Sequence, residues 1–223
     1  MSSIAAAAGH AATHPVQVHV VPATTGRNRP TVAFRPLLAI PHLIMVGGPI
    51  AAAVSWTWRA GAERRYEMGA GGVLGAVAFA AAVIAWFAIL FTGRYPEGLY
   101  GLAEYYLRWR TRAIAYVALL RDEYPPFGDG RYPALLDVRA PSGERDRVSV
   151  GFRLFLAIPH LVAIWALGIA WAIVTVVAWF AILFTGEHPA PLYRFAVGVL
   201  RWTVRVEAYL LLLHDEYPPF SLG

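Results

Sequence analysis

The chain has 223 residues, of which 58% are hydrophobic and only 15% charged, and its mean hydropathy is +0.50. Soluble domains carry about 25% charged residues, so a fold this size has more apolar surface than its own interior can hide, and lipid is the expected cover for the rest. It has no cysteine, which excludes disulfides, thiolate nucleophiles and Cys-ligated zinc or iron–sulfur centres, while a net charge of +5 suits anionic lipid headgroups.

Nucleic acid fits less well, because the basic residues are dispersed between long apolar runs. All 19 of them are arginine. Arginine suits bidentate recognition of phosphate or carboxylate, although a GC-rich genome produces the same bias. Residues 1–13 lack the basic and long apolar regions of a signal peptide and read as a disordered lead-in.

An internal repeat organises the remainder. Phe34-Arg35-Pro36-Leu37-Leu38-Ala39-Ile40-Pro41-His42-Leu43 recurs as Phe152 to Leu161 at an offset of 118. Trp86-Phe87-Ala88-Ile89-Leu90-Phe91-Thr92-Gly93 recurs unchanged at Trp179 to Gly186, and Asp122-Glu123-Tyr124-Pro125-Pro126-Phe127 at Asp215 to Phe220, both at an offset of 93. The first copy therefore carries an extra 25 residues between these landmarks. The expected organisation is a lead over 1–13, one membrane repeat over 14–131 and a second over 132–223.

Each copy opens on a polar stretch with strand-like alternation and a turn. Val16–Val20 followed by Thr24–Arg29, and Leu135–Val138 followed by Pro141–Arg147, read as β-hairpins. Apolar segments follow. In copy one they are Leu37–Trp58 and Gly69–Thr92, separated by the charged loop Arg59–Glu67, and each is long enough to span a bilayer. In copy two the apolar segment is one uncharged run, Leu154–Thr185, which crosses once or dips in and returns near Gly168. Helices rich in Arg, Trp and Tyr are expected over Leu99–Leu120 and Pro191–Leu213, and the prolines of Asp-Glu-Tyr-Pro-Pro-Phe end them. The fold class is thus mainly α, with integral membrane helices in a tandem repeat and a small β-hairpin-like segment before each helical module. Arginines preceding both apolar segments place both polar segments on the cytoplasmic face.

Phe-Arg-x-x-Leu-Ala-Ile-Pro-His-Leu, Trp-Phe-Ala-Ile-Leu-Phe-Thr-Gly, Arg-Trp-x-x-Arg and Asp-Glu-Tyr-Pro-Pro-Phe together resemble the DUF4389 family of bacterial membrane proteins, twice and over nearly the whole chain. The resemblance implies a bacterial inner-membrane, multi-pass protein and carries no activity with it.

The candidate functional residues lie on the third elements. Arg108, Arg112 and Tyr116 fall at i, i+4 and i+8 on one helical stripe. Arg201, Arg205 and Tyr209 repeat it, and Arg194 extends it. As an interfacial stripe it would snorkel toward headgroups; facing inward it would form an anion or lipid-headgroup site. His42 and His160, each after a proline, are weak metal candidates, and the plainer reading makes them caps near the headgroups. Asp122, Glu123, Asp215 and Glu216 are expected to cap, turn or pair with arginine. Gly69, Gly71, Gly72 and Gly75 suit close helix packing. No nucleophile–base set, phosphate loop or dinucleotide fingerprint is present, so neither catalytic residues nor a cofactor is expected. The function expected is that of a structural or accessory membrane subunit whose partners are lipids and other membrane proteins. The alternative is a transporter or anionic-lipid-binding protein with an arginine-lined site between the repeats.

Overall fold

The computed structural model describes residues 14–48, 72–141, 143 and 145–223. The N-terminal lead, the second half of the first apolar piece, the loop Arg59–Glu67, Gly69, Gly71 and Ser142 lie outside the described residues. In chain order the elements are β1 (Val16–Val20), α1 (Arg29–Ala33), α2 (Arg35–Leu38), α3 (Ile40–Val46), α4 (Gly72–Thr92), α5 (Glu97–Val117), β2 (Ala134–Val138), α6 (Arg147–Thr185) and α7 (Ala190–Leu210). The protein is mainly helical with one small antiparallel sheet, and α4 and α6 are long and apolar enough to cross a membrane.

The two strands do not form hairpins within their own copies. β1 pairs with β2 across 118 residues of sequence, and Val18 sits opposite its own counterpart Leu136. A strand that pairs with its equivalent about that point is the signature of a local twofold axis. The stretch expected to turn β1 back on itself instead carries Arg27 into an ion pair with Asp122, so the turn delivers a side chain rather than a strand.

α6 runs unbroken for 39 residues, with Asp146 capping its first turn and left-handed Gly186 ending it. No hairpin forms near Gly168, because the helix carries its backbone hydrogen bonds through that point and needs no polar turn there. Its single internal proline, Pro159, contrasts with Pro30, Pro36 and Pro41 in copy one, which divide the equivalent stretch into α1, α2 and α3. α3 then stops at Gly47, whose φ is +73°. The helix resumes at Gly72, where an added Cβ would lie 2.6 Å from both the Gly47 nitrogen and the Ile44 oxygen. Gly47 and Gly72 are both equivalent to Trp165, by the two repeat offsets. The extra 25 residues therefore enter and leave one helix at a single point, and α4 continues the course of α3. Of the two spans expected in copy one, the second is α4, and the first is described only as far as Gly48, where α2 and α3 run toward the start of α4.

That interrupted helix lies antiparallel to α6, and the contacts are reciprocal. The Trp86 indole donates to the Val150 carbonyl at 2.9 Å, and its counterpart Trp179 donates to Val32, the counterpart of Val150, also at 2.9 Å. Val150 and Trp179 are 29 helical steps apart, about 44 Å, so Val32 and Trp86 must be similarly far apart and copy one's helix is extended. α5 packs on α4 and α7 on α6, while α5 and α7 touch each other. β2 lies on α5 and β1 on α7, so each copy lends its strand to the other. The layers are the sheet, then α5 with α7, then the long helices.

Candidate functional site

The groups that the structure brings together are two equivalent clusters, one at each end of the long-helix pair. Arg27 donates to both carboxylate oxygens of Asp122, at 2.8 and 2.6 Å. Arg35 donates to the same carboxylate at 2.8 Å and to the carbonyls of Tyr116 and Arg121, with its guanidinium 4.1 Å from the Tyr116 ring centroid. In copy two Arg145 donates to both oxygens of Asp215 at 2.7 Å. Arg153 reaches Asp215 at 2.8 Å and the carbonyls of Tyr209 and His214, and lies 4.3 Å from the Tyr209 ring. All four arginines are buried. Such arginines persist only where carboxylates and carbonyls replace lost water.

The local chain is bent to make this possible. α5 and α7 end in left-handed caps whose positive-φ residues are leucines, Leu119 at +61° and Leu212 at +63°. Glycine usually stands there. The leucine side chains are nearly fully buried, Leu119 against Val32, Ala178 and Ile182, and Leu212 against Ala85, Ile89 and Val150. That burial offsets the strain, and the cap presents the Tyr116 and Tyr209 carbonyls to the arginines.

The electrostatics follow the geometry. Burial alone would raise the Asp122 pKa, but the hydrogen bonds from Arg27, the Asn28 backbone N–H and Arg35 outweigh it and hold the carboxyl at about 2. Asp215 is likewise lowered against the effect of burial by Arg145 and Arg153. His214 is pushed down to about 3 by burial and then by His14, whose ring centroid is 4.9 Å away. Burial lowers His188 to about 4. These carboxylates accept from two arginines each, and these histidines are neutral, an arrangement that ties chain segments together.

The predicted stripe does not converge. Arg108 pairs with Glu104 and, at 3.4 Å, with Asp129. Arg112 is buried and donates to the Gly128 carbonyl at 2.8 Å. Arg201 reaches the Val18 carbonyl of β1 at 3.2 Å, Arg194 is exposed, and Arg205 is half-buried. Tyr116 and Tyr209 are drawn instead beneath Arg35 and Arg153. The open cleft beside the first cluster is lined by Arg27, Arg121, Asp122 and Glu123, none of them in the stripe. Regular spacing does not define one face on α5 and α7, because these helices are covered on most sides. Arg27, Arg35, Arg145 and Arg153 were missed as site residues, yet all four recur at the 118-residue offset.

The expected pairing of Asp122 and Asp215 with arginine is present, and Glu123 pairs with Arg121. His42 and His160 are not headgroup caps. Each is fully buried, accepts at Nδ1 from Trp109 (3.0 Å) or Trp202 (3.1 Å), and stacks on Phe127 or Phe220. Pro41 does lie in the first turn of α3, whereas Pro159 is inside α6. Among the described residues no cluster of three or more His, Asp or Glu side chains could hold a metal.

One feature breaks the symmetry. Arg110 donates to the Val46 and Gly48 carbonyls, at the end of α3, and pairs with Glu207 of α7 at 2.8 Å. Its copy-two equivalent is Thr203, beside an uninterrupted α6. The buried charge pair stands where the helix is broken.

The architecture is thus a two-copy helical protein whose interior polar groups join segments and whose long helices present apolar surface. The profile of the family described as Domain of unknown function (DUF4389) matches residues 68–128 and 147–221, and the chain belongs to that family. No curated protein and no solved structure matches it.

Proposed function

We propose that the protein is a non-catalytic membrane protein, a scaffold or accessory subunit that works through its contacts with lipid and with other proteins in the membrane. The observation that carries this reading is the outward face of the long helices. In the most apolar stretches of α4 and α6 only 33% and 22% of the residues are buried; a soluble protein buries such helices. Phe79, Phe91, Phe155 and Phe184 are 67%, 79%, 69% and 78% exposed. A fully buried side chain of this kind is worth about 1.5–3 kcal/mol, so this surface needs a cover of hydrocarbon.

The reading is tested by expressing the full chain and washing membranes with alkaline carbonate. The protein is expected in the pellet, released only by detergent. A monodisperse protein in detergent-free buffer would overturn it. The dispersal of Arg108, Arg112 and Arg201 onto separate partners favours the scaffold over an arginine-lined transport site.

A further inference from the structure

We propose that the chain lies within one leaflet, its long helices parallel to the membrane plane and its sheet facing water, docked on acyl chains below and anionic headgroups at its ends. This rests on the membrane reading above and concerns orientation. Both α4 and α6 satisfy length and apolarity for crossing, so the decision comes from the twofold relation and from which residues face outward.

Two antiparallel helices exchanged by a twofold axis must lie perpendicular to that axis. The same axis passes through the sheet, at the Val18–Leu136 pair. The sheet therefore sits level with the middle of the long helices, on the far side of α5 and α7. Its inner residues Val16, Val18, Ala134 and Leu136 are buried, while the outer face exposes His19 and Asp137 with one apolar residue, Leu135, opposite His19. If the helices stood upright, the axis would lie at the bilayer midplane, and Asp137 and the outer edges of a two-stranded sheet would face hydrocarbon. Lipid does not accept open sheet edges, and an aspartate there costs about 2.5–3.5 kcal/mol. Laying the helices flat turns the axis along the membrane normal. The polar sheet then faces water and the apolar faces of the helices face acyl chains.

Length gives the same answer. On α6 exposed apolar residues run from Phe152 to Phe184, 32 steps or about 48 Å of helix, against a hydrocarbon core of about 30 Å. An upright α6 would leave over a third of that strip in water, and fitting it by tilt needs about 50°, beyond the range of about 0–40° seen for spanning helices. Charge is placed to match the flat orientation. Arg29 and Arg147 are exposed at the two ends of the helix pair, against Gly186 and Gly93, at one level where phosphates of a single leaflet lie.

The test uses the native absence of cysteine. Single spin labels are placed on the full chain through Phe155→Cys, Ile169→Cys, Val177→Cys and Phe184→Cys, reconstituted in vesicles of phosphatidylcholine and phosphatidylglycerol, and their depths are read from oxygen and nickel-chelate accessibility. The four depths are expected to agree, at about 5–10 Å below the headgroup boundary. Depths that change by about 1.5 Å per residue and pass through the bilayer centre would overturn the proposal while leaving the membrane reading intact. Labels that are all in water would overturn both. Impermeant maleimide on intact cells supplies the second readout. His19→Cys, Arg94→Cys and Glu187→Cys are expected to share one sidedness, and opposite sidedness of Arg94→Cys and Glu187→Cys would overturn the flat orientation.

Discussion

Replacing Asp122 by Asn removes one negative charge from between two buried guanidinium groups. The Arg27 and Arg35 side chains are 1% and 3% exposed and that of Asp122 is 22% exposed, so water cannot re-solvate the arginines without opening the cluster. Asparagine keeps one carbonyl acceptor, loses the second, and leaves two cations that no carboxylate holds. Breaking a buried pair in this way costs about 3–5 kcal/mol. The contact of Arg35 with the Tyr116 ring, 4.1 Å away, is present with and without the carboxylate and cancels, so the expected loss stays at about 3–5 kcal/mol. Asp215→Asn should cost a similar amount, since Arg145 and Arg153 face it identically. Glu123→Gln is the control: Glu123 is 51% exposed beside Arg121, and exposed pairs contribute about 0–1 kcal/mol. Unfolding by denaturant in detergent micelles, followed by circular dichroism, measures all three. If Asp122→Asn stays within 1 kcal/mol of wild type, the cluster does not clamp the fold.

Acid should loosen the protein in two stages. Buried His214, held at about 3, is neutral when folded, so stability is intact above about pH 6.5, its unfolded value, and falls by up to about 1.4 kcal/mol per pH unit below it. Asp122, held at about 2, adds a second loss between about pH 4 and pH 2, and a flat stability profile from pH 7 to 3 would contradict both assignments. Trp86→Phe and Trp179→Phe should each lose about 1 kcal/mol for the missing indole hydrogen bond, and equally, because Val150 and Val32 are equivalent acceptors; a clear inequality in thermal stability would deny the reciprocal interface. Leu119→Gly relieves a left-handed leucine worth about 1 kcal/mol but empties a buried site worth about 2–5 kcal/mol, so a net loss is expected, and a stabilised variant would show that strain dominates. Arg29→Gln with Arg147→Gln should weaken binding to anionic vesicles by about 1 kcal/mol per arginine, and unchanged partitioning in flotation would remove their headgroup role.

Much of the fold was written in local pattern. The apolar run from Leu154 to Thr185 lies inside α6, and the Arg/Tyr-rich segments became α5 and α7, because uninterrupted helical chemistry declares itself in sequence. The partner of β1 was hidden. Alternating Val16, Val18 and Val20 ask for a covered face, and nothing local distinguishes a hairpin from a strand 118 residues away. The stripe of Arg108, Arg112, Arg201 and Arg205 does not converge, for a related reason. Spacing describes one helix, whereas which residues meet depends on α5 and α7 being enclosed by other elements. Arg27, Arg35, Arg145 and Arg153 did carry a signal, since each recurs at the offset of the copies, but only the fold brings them to Asp122 and Asp215.

The closeness of Gly47 to Gly72 has a practical meaning. A helix that can be opened and rejoined at one point behaves as a socket: the frame needs only that the two strands of chain leave side by side. Any inserted module whose own termini are a few ångströms apart should be accommodated between those glycines, with the absence of a side chain at Gly72 as the fixed requirement, since an added Cβ would lie 2.6 Å from the Gly47 nitrogen. Such a site would let a reporter ride on the protein without touching either cluster, and it gives a reason why one copy tolerates 25 additional residues that the other does without.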